Sequence, residues 1–228
     1  VQYCGNIFRY AIATGRAEHD ISADLRGALK PRPKNHFATI TDPRQVGQLL
    51  RAIDSYQGQF PVACALKLAP LVFVRPGELR AAEWREFDFA KAEWRIPAER
   101  MKMRQIHIVP LARQPLAILR ELRSFSGHSP YLFPGKGKLA PTVDSKSLIW
   151  ALRKMGYTKD MMSIPGFRAM ASTHLNEQGY NSDWIEPQPA HTDRNSIRAA
   201  NTYAEYLPER RKMMQDYADY LTALKERQ

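Results

Sequence analysis

The chain has 228 residues, of which 44% are hydrophobic, and it carries a formal net charge of +11 with a sequence pI of about 9.8. This hydrophobic content is sufficient for one globular core and a smaller appendage. The charge favours a polyanionic partner, either nucleic acid or a membrane surface. A basic protein without such a partner is the plain alternative.

The sequence argues against a membrane-spanning or disulfide-stabilised protein. The longest apolar run, 61–74, contains Lys67 and is too short to span a bilayer. Cys4 and Cys64 are the two cysteines and form no CxxC pair, which disfavours thiolate zinc sites. We therefore expect a protein of the reducing cytoplasm without a metal or other cofactor. Because the chain begins without methionine, we also expect a fragment of a longer protein.

The first part of the chain predicts helices followed by a linker. Apolar residues recur at helical spacing within 1–29. Proline and basic residues then interrupt the pattern over 30–43, which indicates an interdomain linker. Asp42 followed by Pro43 is a good helix start, with a capping side chain and a first-turn proline.

The rest of the chain predicts mainly helix with a small antiparallel sheet, an α+β class. We expect a buried helix over 60–74 and a short helix that begins at Pro76 and carries Glu78 to Trp84. Alternating and β-branched residues predict the sheet across 87–110, with a turn near 102–105. Further helices are predicted at about 113–123, 144–155, 166–178, 181–186, 195–206 and 208–226.

Two segments place an arginine at the start of a predicted helix. Arg75 directly precedes Pro76, where one predicted helix begins, and Arg168 lies in the first turn of the helix predicted at 166–178. Arginine binds phosphate oxygens with two parallel donors and stays protonated, and helix N-termini add partial positive charge. Glu78 could reach Arg75 across one helical turn. The pattern suits an anion site, although either arginine alone could be a surface residue paired with a carboxylate.

The local strings carry a family resemblance. Phe73-Val74-Arg75-Pro76-Gly77-Glu78-Leu79 and Gly166-Phe167-Arg168-Ala169 resemble the two arginine motifs of tyrosine recombinases, most closely those of P4-type prophage integrases. The resemblance implies that 1–29 is the C-terminal part of a core-type DNA-binding domain, 30–43 a linker and 44–228 the catalytic domain with its fold. It also implies attachment-site duplex DNA as partner, a homotetramer on DNA, a monomeric free fragment, and a nucleoid-associated protein of the bacterial cytoplasm.

The resemblance assigns roles to individual side chains. Arg75 and Arg168 would hold the scissile phosphate, with Glu78 supporting them. Lys102 would protonate the leaving oxygen, and His191 would hydrogen-bond the phosphate. On the residues alone, Lys102 with Arg100 and Arg104 could equally be a basic hairpin that contacts backbone phosphates. His107 is interpreted as a structural residue of its strand.

The chain departs from the family pattern near the proposed chemistry. Pro165 stands where the family has histidine, and Asn201 stands where it has the nucleophilic tyrosine. Tyr203, two residues later, would face another side of a regular helix. Pro187 and Pro189 predict that the preceding helix ends by about residue 186. Either the protein is a decayed integrase, or the printed sequence differs at these positions from the molecule in the cell.

Three hypotheses follow. The first is a site-specific recombinase that integrates a prophage or genomic island through a 3′-phosphotyrosine intermediate. The second is a catalytically dead integrase relic that still binds DNA. The third is a basic helical interaction module, supported by an apolar stripe on the last helix: Met213, Met214, Tyr217, Leu221 and Leu224. For that stripe, the favoured alternative is docking on its own domain.

Overall fold

The computed structural model of the chain describes residues 1–25, 27–28, 37–101, 104–136, 141–186 and 206–227. The chain divides into two compact units, Val1–His36 and Phe37–Gln228. The first unit contains helix α1 (Gln2–Ala13) and a 3₁₀ turn, Ala23–Leu25. Within it, the Asp20 carboxylate accepts a hydrogen bond from the backbone amide of Ser22 at 3.0 Å.

The second unit is mostly helical with a three-stranded antiparallel sheet, which confirms the predicted class. The sheet order is β1-β2-β3, with Trp94 opposite both Phe87 and Val109. None of the helices in the described ranges is both long and apolar enough to cross a bilayer. The elements described in this unit are α2 (Pro43–Asp54), α3 (Phe60–Val72), α4 (Pro76–Arg80), β1 (Phe87–Asp88), β2 (Glu93–Ile96), β3 (His107–Pro110), α5 (Arg113–Ser126), α6 (Ser145–Lys154), α7 (Gly166–Glu177), α8 (Ser182–Ile185) and α9 (Leu207–Glu226).

Helix α2 starts as the sequence predicts and crosses α9 at close range. The Asp42 carboxylate accepts from the Gln45 amide at 2.9 Å, and Pro43 occupies the first turn. A Cβ atom at Gly47 would lie 2.3 Å from the Leu224 carbonyl oxygen of α9. The crossing therefore requires glycine at this position, and it fixes the distance between the two helices.

A left-handed residue ends α3 and redirects the chain towards the first arginine motif. Phe73 has φ +34 and is buried, with its ring edge-on to that of Tyr217 at 5.6 Å between centroids. A left-handed conformation costs a non-glycine residue about 1–2 kcal/mol, and burial of the aromatic ring offsets this cost. The helix consequently ends two residues before the predicted position 74 and delivers Arg75 to the start of α4.

Helix α4 is shorter than predicted, because the backbone that follows it pairs with a segment distant along the chain. The Trp84 amide donates to the Pro130 carbonyl at 3.0 Å, and the Ala82 carbonyl accepts from the Leu132 amide at 2.9 Å. The expectation that Ala82 and Trp84 belong to this helix is therefore wrong. Trp84 instead begins a 3₁₀ turn that ends at Glu86.

The last helix packs on its own unit, as the favoured alternative predicted. All five residues of its apolar stripe are buried, and α9 contacts α2, α3 and β3. The predicted helix at 195–206 lies outside the described residues except for residue 206, and α9 begins at Leu207.

We expect Tyr217→Phe to leave the free energy of unfolding unchanged or to raise it by about 1–2 kcal/mol. The Tyr217 hydroxyl is buried and has no hydrogen-bond partner in the described part of the chain, and burial raises its pKa. Urea unfolding would measure the difference, with Tyr220→Phe as the matched control. A loss above about 1 kcal/mol would show that the hydroxyl has a partner.

Candidate functional site

The first arginine is oriented by a buried carboxylate. Arg75 caps the N-terminus of α4 in an extended conformation, φ −65 and ψ 144. The Glu78 carboxylate accepts from the Arg75 backbone amide at 2.8 Å and from its Nη1 at 2.8 Å. Glu78 is 6% exposed, whereas the Arg75 side chain is 27% exposed. The predicted contact across one turn is confirmed, and it fixes the direction of the guanidinium.

The second arginine lies within electrostatic range of the first. Arg168 is the third residue of α7 and is partly buried. The pKa of Arg168 is lowered to about 10, chiefly by burial and also by the positive charge of Arg75, while Glu78 opposes the shift. Arg168 therefore stays protonated at neutral pH. The two guanidinium groups repel each other, and the Glu78 carboxylate offsets part of this repulsion. An anion bound to both groups would relieve the rest.

The start of α7 is fixed by the first residues of the second unit. Thr39 Oγ1 donates to the Gly166 carbonyl at 2.8 Å, and the Ser163 amide and hydroxyl both donate to the Ala38 carbonyl at 3.0 Å. A Cβ at Gly166 would lie 2.2 Å from that carbonyl oxygen, so the approach requires glycine. These contacts hold the helix start that carries Arg168.

Proline at position 165 suits the backbone but contributes no donor. Pro165 has φ −61 and ψ −23, which is a helical conformation, and its carbonyl accepts from the Arg168 amide at 3.1 Å. Proline has neither an amide hydrogen nor a polar side chain. The substitution is therefore compatible with the fold and adds nothing to an anion site.

Arg100 is a structural residue, which corrects the alternative that it contacts phosphates. It forms a buried ion pair with Glu86 and donates from Nη2 to the Glu78 carbonyl at 2.7 Å. The Trp94 indole donates to the same Glu86 carboxylate at 2.9 Å. A buried carboxylate requires such partners. Arg100 thereby ties the β2–β3 connection to α4, a role that sequence periodicity could not show because the partners are distant along the chain.

Several predicted site residues lie outside the described residues: Lys102, Pro187, Pro189, His191, Asn201 and Tyr203. The structure does describe the elements that flank them. Helix α8 ends at Ile185, which confirms that the helix before the two prolines ends by residue 186. Of the predicted set, the structure thus brings together Arg75, Glu78 and Arg168.

Two further arginines fix the start of α9 on the sheet. Arg210 is fully buried and donates from Nη2 to the Ile108 carbonyl at 2.8 Å. Arg211 donates to the Lys91 carbonyl at 2.6 Å and pairs with the buried Glu93. Sequence reasoning missed both roles. Within the described ranges, no group of three or more His, Cys, Asp or Glu side chains is arranged to hold a metal ion.

Helix α7 also carries a buried histidine. His174 is 1% exposed, and its Nδ1 lies 3.5 Å from the Tyr220 hydroxyl and 3.5 Å from a Glu177 carboxylate oxygen. Its Nε2 is buried and has no partner among the described residues. Burial lowers the pKa of His174, and the nearby Glu177 opposes that shift. The neutral imidazole is therefore the favoured form in the folded protein.

Sequence comparison identifies the family. Residues 39–210 match the phage integrase family, and residues 1–28 match the phage integrase central domain. The chain belongs to the phage integrase family. It is 40% identical over 230 residues to the integrase of Enterobacteria phage P4, and 37% identical over 221 residues to prophage integrase IntZ of Escherichia coli (strain K12). These alignments cover 94% and 96% of this chain but 52% and 54% of the relatives, so the chain spans about half their length.

Solved structures agree on the fold. A lambda integrase(75–356) dimer bound to a COC′ core site matches with a TM-score of 0.62 at 16% identity, over 87% of this chain and 69% of that one. The integrase from mycobacterium phage Brujita matches with a TM-score of 0.58 at 12% identity, over 98% and 75% of the two chains. The chain has the fold of tyrosine recombinase catalytic domains, which confirms that prediction.

We expect Glu78→Gln to lower the free energy of unfolding by about 1–3 kcal/mol, because an amide cannot replace a buried carboxylate bonded to Arg75. Denaturant unfolding would measure this loss. Glu83→Gln is the matched control, since its partner Arg85 is 77% exposed and such a pair contributes little. Equal losses in the two variants would contradict the orienting role of Glu78.

We expect His174 to make the protein less stable in mild acid. Its folded-state pKa lies below the unfolded value of 6.5, so the unfolded chain binds the proton more readily. The stability is fully present above pH 6.5 and is lost as the pH falls through the folded-state pKa. When the pH is lowered from about 8 to about 5.5, the melting temperature should therefore fall less in His174→Leu than in the unmodified chain.

His128→Leu, at an exposed position, is the control for this measurement. It should retain the full pH dependence of the unmodified chain. Identical pH dependence in His174→Leu and the unmodified chain would show that His174 does not titrate on unfolding.

Proposed function

We propose that this chain is the core-binding and catalytic part of a site-specific recombinase of the tyrosine class, which integrates a prophage or genomic island into bacterial DNA. The observation that carries the proposal is the pair Arg75 and Arg168, each at a helix start, beside the buried carboxylate of Glu78. Family membership and the integrase relatives support it. Residues 1–29 would contribute to core-site binding, 30–43 would be the linker, and 44–228 would form the catalytic domain.

The proposed reaction uses the two arginines as fixed donors. A tyrosine hydroxyl attacks a DNA phosphorus atom and forms a 3′-phosphotyrosine, while the bond to the 5′ oxygen breaks. Arg75 and Arg168 stabilise the charge on the nonbridging oxygens, and Lys102 protonates the departing oxygen. His191 donates to the phosphate. The covalent intermediate stores the energy of the phosphodiester, so neither ATP nor a metal or other cofactor is required.

The chain departs from the family at the position of the nucleophile. Asn201 occupies the position of the family nucleophile, and an amide cannot form a phosphotyrosine. Tyr203 would have to attack instead, from two residues further along the chain. Pro165 also removes one donor that the family places before the second arginine. These two departures favour the second candidate function, a DNA-binding relic that no longer cleaves.

Duplex DNA containing an attachment site is the proposed partner in both cases. The net charge of +11 favours a polyanion, and one matching structure is of a lambda integrase dimer bound to a COC′ core site. We propose a homotetramer on DNA, a monomer in its absence, and a location at the nucleoid in the cytoplasm.

We expect salt-sensitive binding to duplex DNA, because neutralised phosphates release counterions. Fluorescence anisotropy with a labelled random-sequence duplex should show affinity that falls steeply as potassium chloride is raised. Arg75→Gln should weaken the binding, and Lys212→Gln, on α9 beside Asp216, should not. An absence of binding even at low salt would refute both candidate functions.

We expect covalent attachment to a nicked suicide duplex to distinguish an active recombinase from a DNA-binding relic. The binding site in this duplex would first be selected from random-sequence DNA by its affinity for the protein. An active recombinase becomes covalently attached, and Tyr203→Phe abolishes the attached species. A relic stays unattached, whereas Asn201→Tyr restores attachment. Denaturing gel electrophoresis distinguishes these results. If no variant becomes attached, catalysis by this chain is refuted.

A further inference from the structure

A groove lies between helices α3, α5 and α9, beside the end of α2, and we call it the three-helix groove. Its volume is about 390 Å³, and small-molecule sites occupy about 300–1,000 Å³. Arg75, Glu78 and Arg168, all among the described residues, do not line it, so the groove is separate from the proposed phosphate site. Its walls are mostly aliphatic and include Leu50, Ile53, Pro70, Leu71, Ile118 and Leu221.

Part of this lining belongs to the core, and part faces solvent. Ile53 and Leu221 are buried, whereas Leu71 and Ile118 are only partly buried. Ala117 also lines the groove, is exposed, and contributes only a methyl group to it. A ligand in the groove would therefore meet apolar surface, and removal of such surface from water drives binding.

Two lysines share one carboxylate at the groove. Lys225 Nζ lies 2.7 Å from Asp54 Oδ2, and Lys67 Nζ lies 3.9 Å from Asp54 Oδ1. All three side chains line the groove and are between 34% and 39% exposed. One carboxylate cannot neutralise two ammonium groups, each of which has three donors. The lysines therefore keep one positive charge and several donors for a second anion.

The uncharged polar side chains of the groove already have partners. Gln114 Nε2 donates to Asp219 Oδ1 at 2.6 Å, and Thr222 Oγ1 donates to the Ala218 carbonyl at 2.9 Å. Asp219 in turn pairs with Arg113 at 3.1 Å. In this described part of the chain, the two lysines are thus the groups that would select a ligand by its charge.

These features define the chemistry of the occupant. The aliphatic walls favour an alkyl chain, and the single excess positive charge favours one acid group. A polyanion such as a DNA strand is disfavoured, because its charged backbone would lie against aliphatic surface. A second copy of the chain is disfavoured, because each copy carries a net charge of +11.

We propose that the three-helix groove binds an alkyl carboxylate of medium chain length, with its acid group at Lys67 and Lys225 and its chain between α3, α5 and α9. The lysines select the sign of the charge, because a partly exposed ion pair contributes little affinity. The chain supplies the affinity, since each buried methylene strengthens binding by about fourfold. Binding at this site would be independent of DNA binding.

Isothermal titration calorimetry with sodium decanoate, below its micelle concentration, tests this site. We expect saturable binding of one decanoate per chain, about tenfold tighter than the binding of octanoate, which has two fewer methylenes to bury. Decyltrimethylammonium, with the same chain length and the opposite charge, should bind several-fold more weakly. Decanoate should also raise the melting temperature, because it binds the folded chain.

Ala117→Trp is the variant that tests the position of the alkyl chain. Position 117 is exposed, so the larger side chain fills the groove without entering the core. This variant should bind decanoate about tenfold more weakly or worse, because the alkyl chain loses buried methylenes. Ala117→Ser is the matched control and should bind as the unmodified chain does.

The charged residues are tested separately. Lys67→Gln/Lys225→Gln should weaken decanoate binding several-fold, whereas Asp54→Asn should strengthen it, because both lysines lose their internal partner. The control with the same net charge as the lysine variant is Lys146→Gln/Lys154→Gln, at exposed positions of α6. It should leave the affinity for decanoate unchanged.

Three results would overturn the inference. They are an absence of decanoate binding, equal binding by Ala117→Trp and Ala117→Ser, and equal binding by the two double-lysine variants. If the unmodified chain instead dimerises without decanoate in sedimentation equilibrium and Ala117→Trp prevents this, a second copy occupies the groove and the inference is likewise overturned. Each of these results leaves the proposed function standing, because none involves DNA.

Discussion

The proposed phosphate site depends on one buried carboxylate, that of Glu78, which acts on two arginines. Glu78 accepts from the backbone and side chain of Arg75, and its charge opposes the repulsion between Arg75 and Arg168. Two partly buried guanidinium groups could not remain close without such compensation. Helix α4 has five residues and is too short to be stable alone. Its stability comes from Glu78, from Arg100 on the Glu78 carbonyl, and from the turn at Phe73.

Three arginines of this basic chain stabilise the fold. Arg100 pairs with Glu86, Arg211 pairs with Glu93, and Arg210 donates to a strand carbonyl, all in buried or partly buried positions. These contacts connect α4 and α9 to the same small sheet. They also fix the start of α9. The sheet thus supports both the first arginine motif and the last helix.

Local signals predicted the elements, and long-range contacts decided what the sequence could not show. Asp42 with Pro43, the sheet over 87–110 and the last apolar stripe were visible because caps, alternation and helical spacing are local properties. The early end of α3 at Val72 and of α4 at Arg80 depends on the burial of Phe73 and on pairing with distant backbone. The contact between Glu78 and Arg75 can be predicted from the sequence because the two residues are three positions apart. The structural role of Arg100 cannot be predicted in this way, because its partners, the Glu86 carboxylate and the Glu78 carbonyl, are distant along the chain.

A double-mutant cycle on duplex affinity measures whether Arg75 and Arg168 bind one phosphate together. Titrations of the unmodified chain, Arg75→Gln, Arg168→Gln and the double variant at one salt concentration give the coupling between the two side chains. A shared phosphate predicts that the double variant loses less binding free energy than the sum of the single losses, by about 0.5–3 kcal/mol. Losses that add to within about 0.5 kcal/mol would show two independent contacts and rule out a shared phosphate.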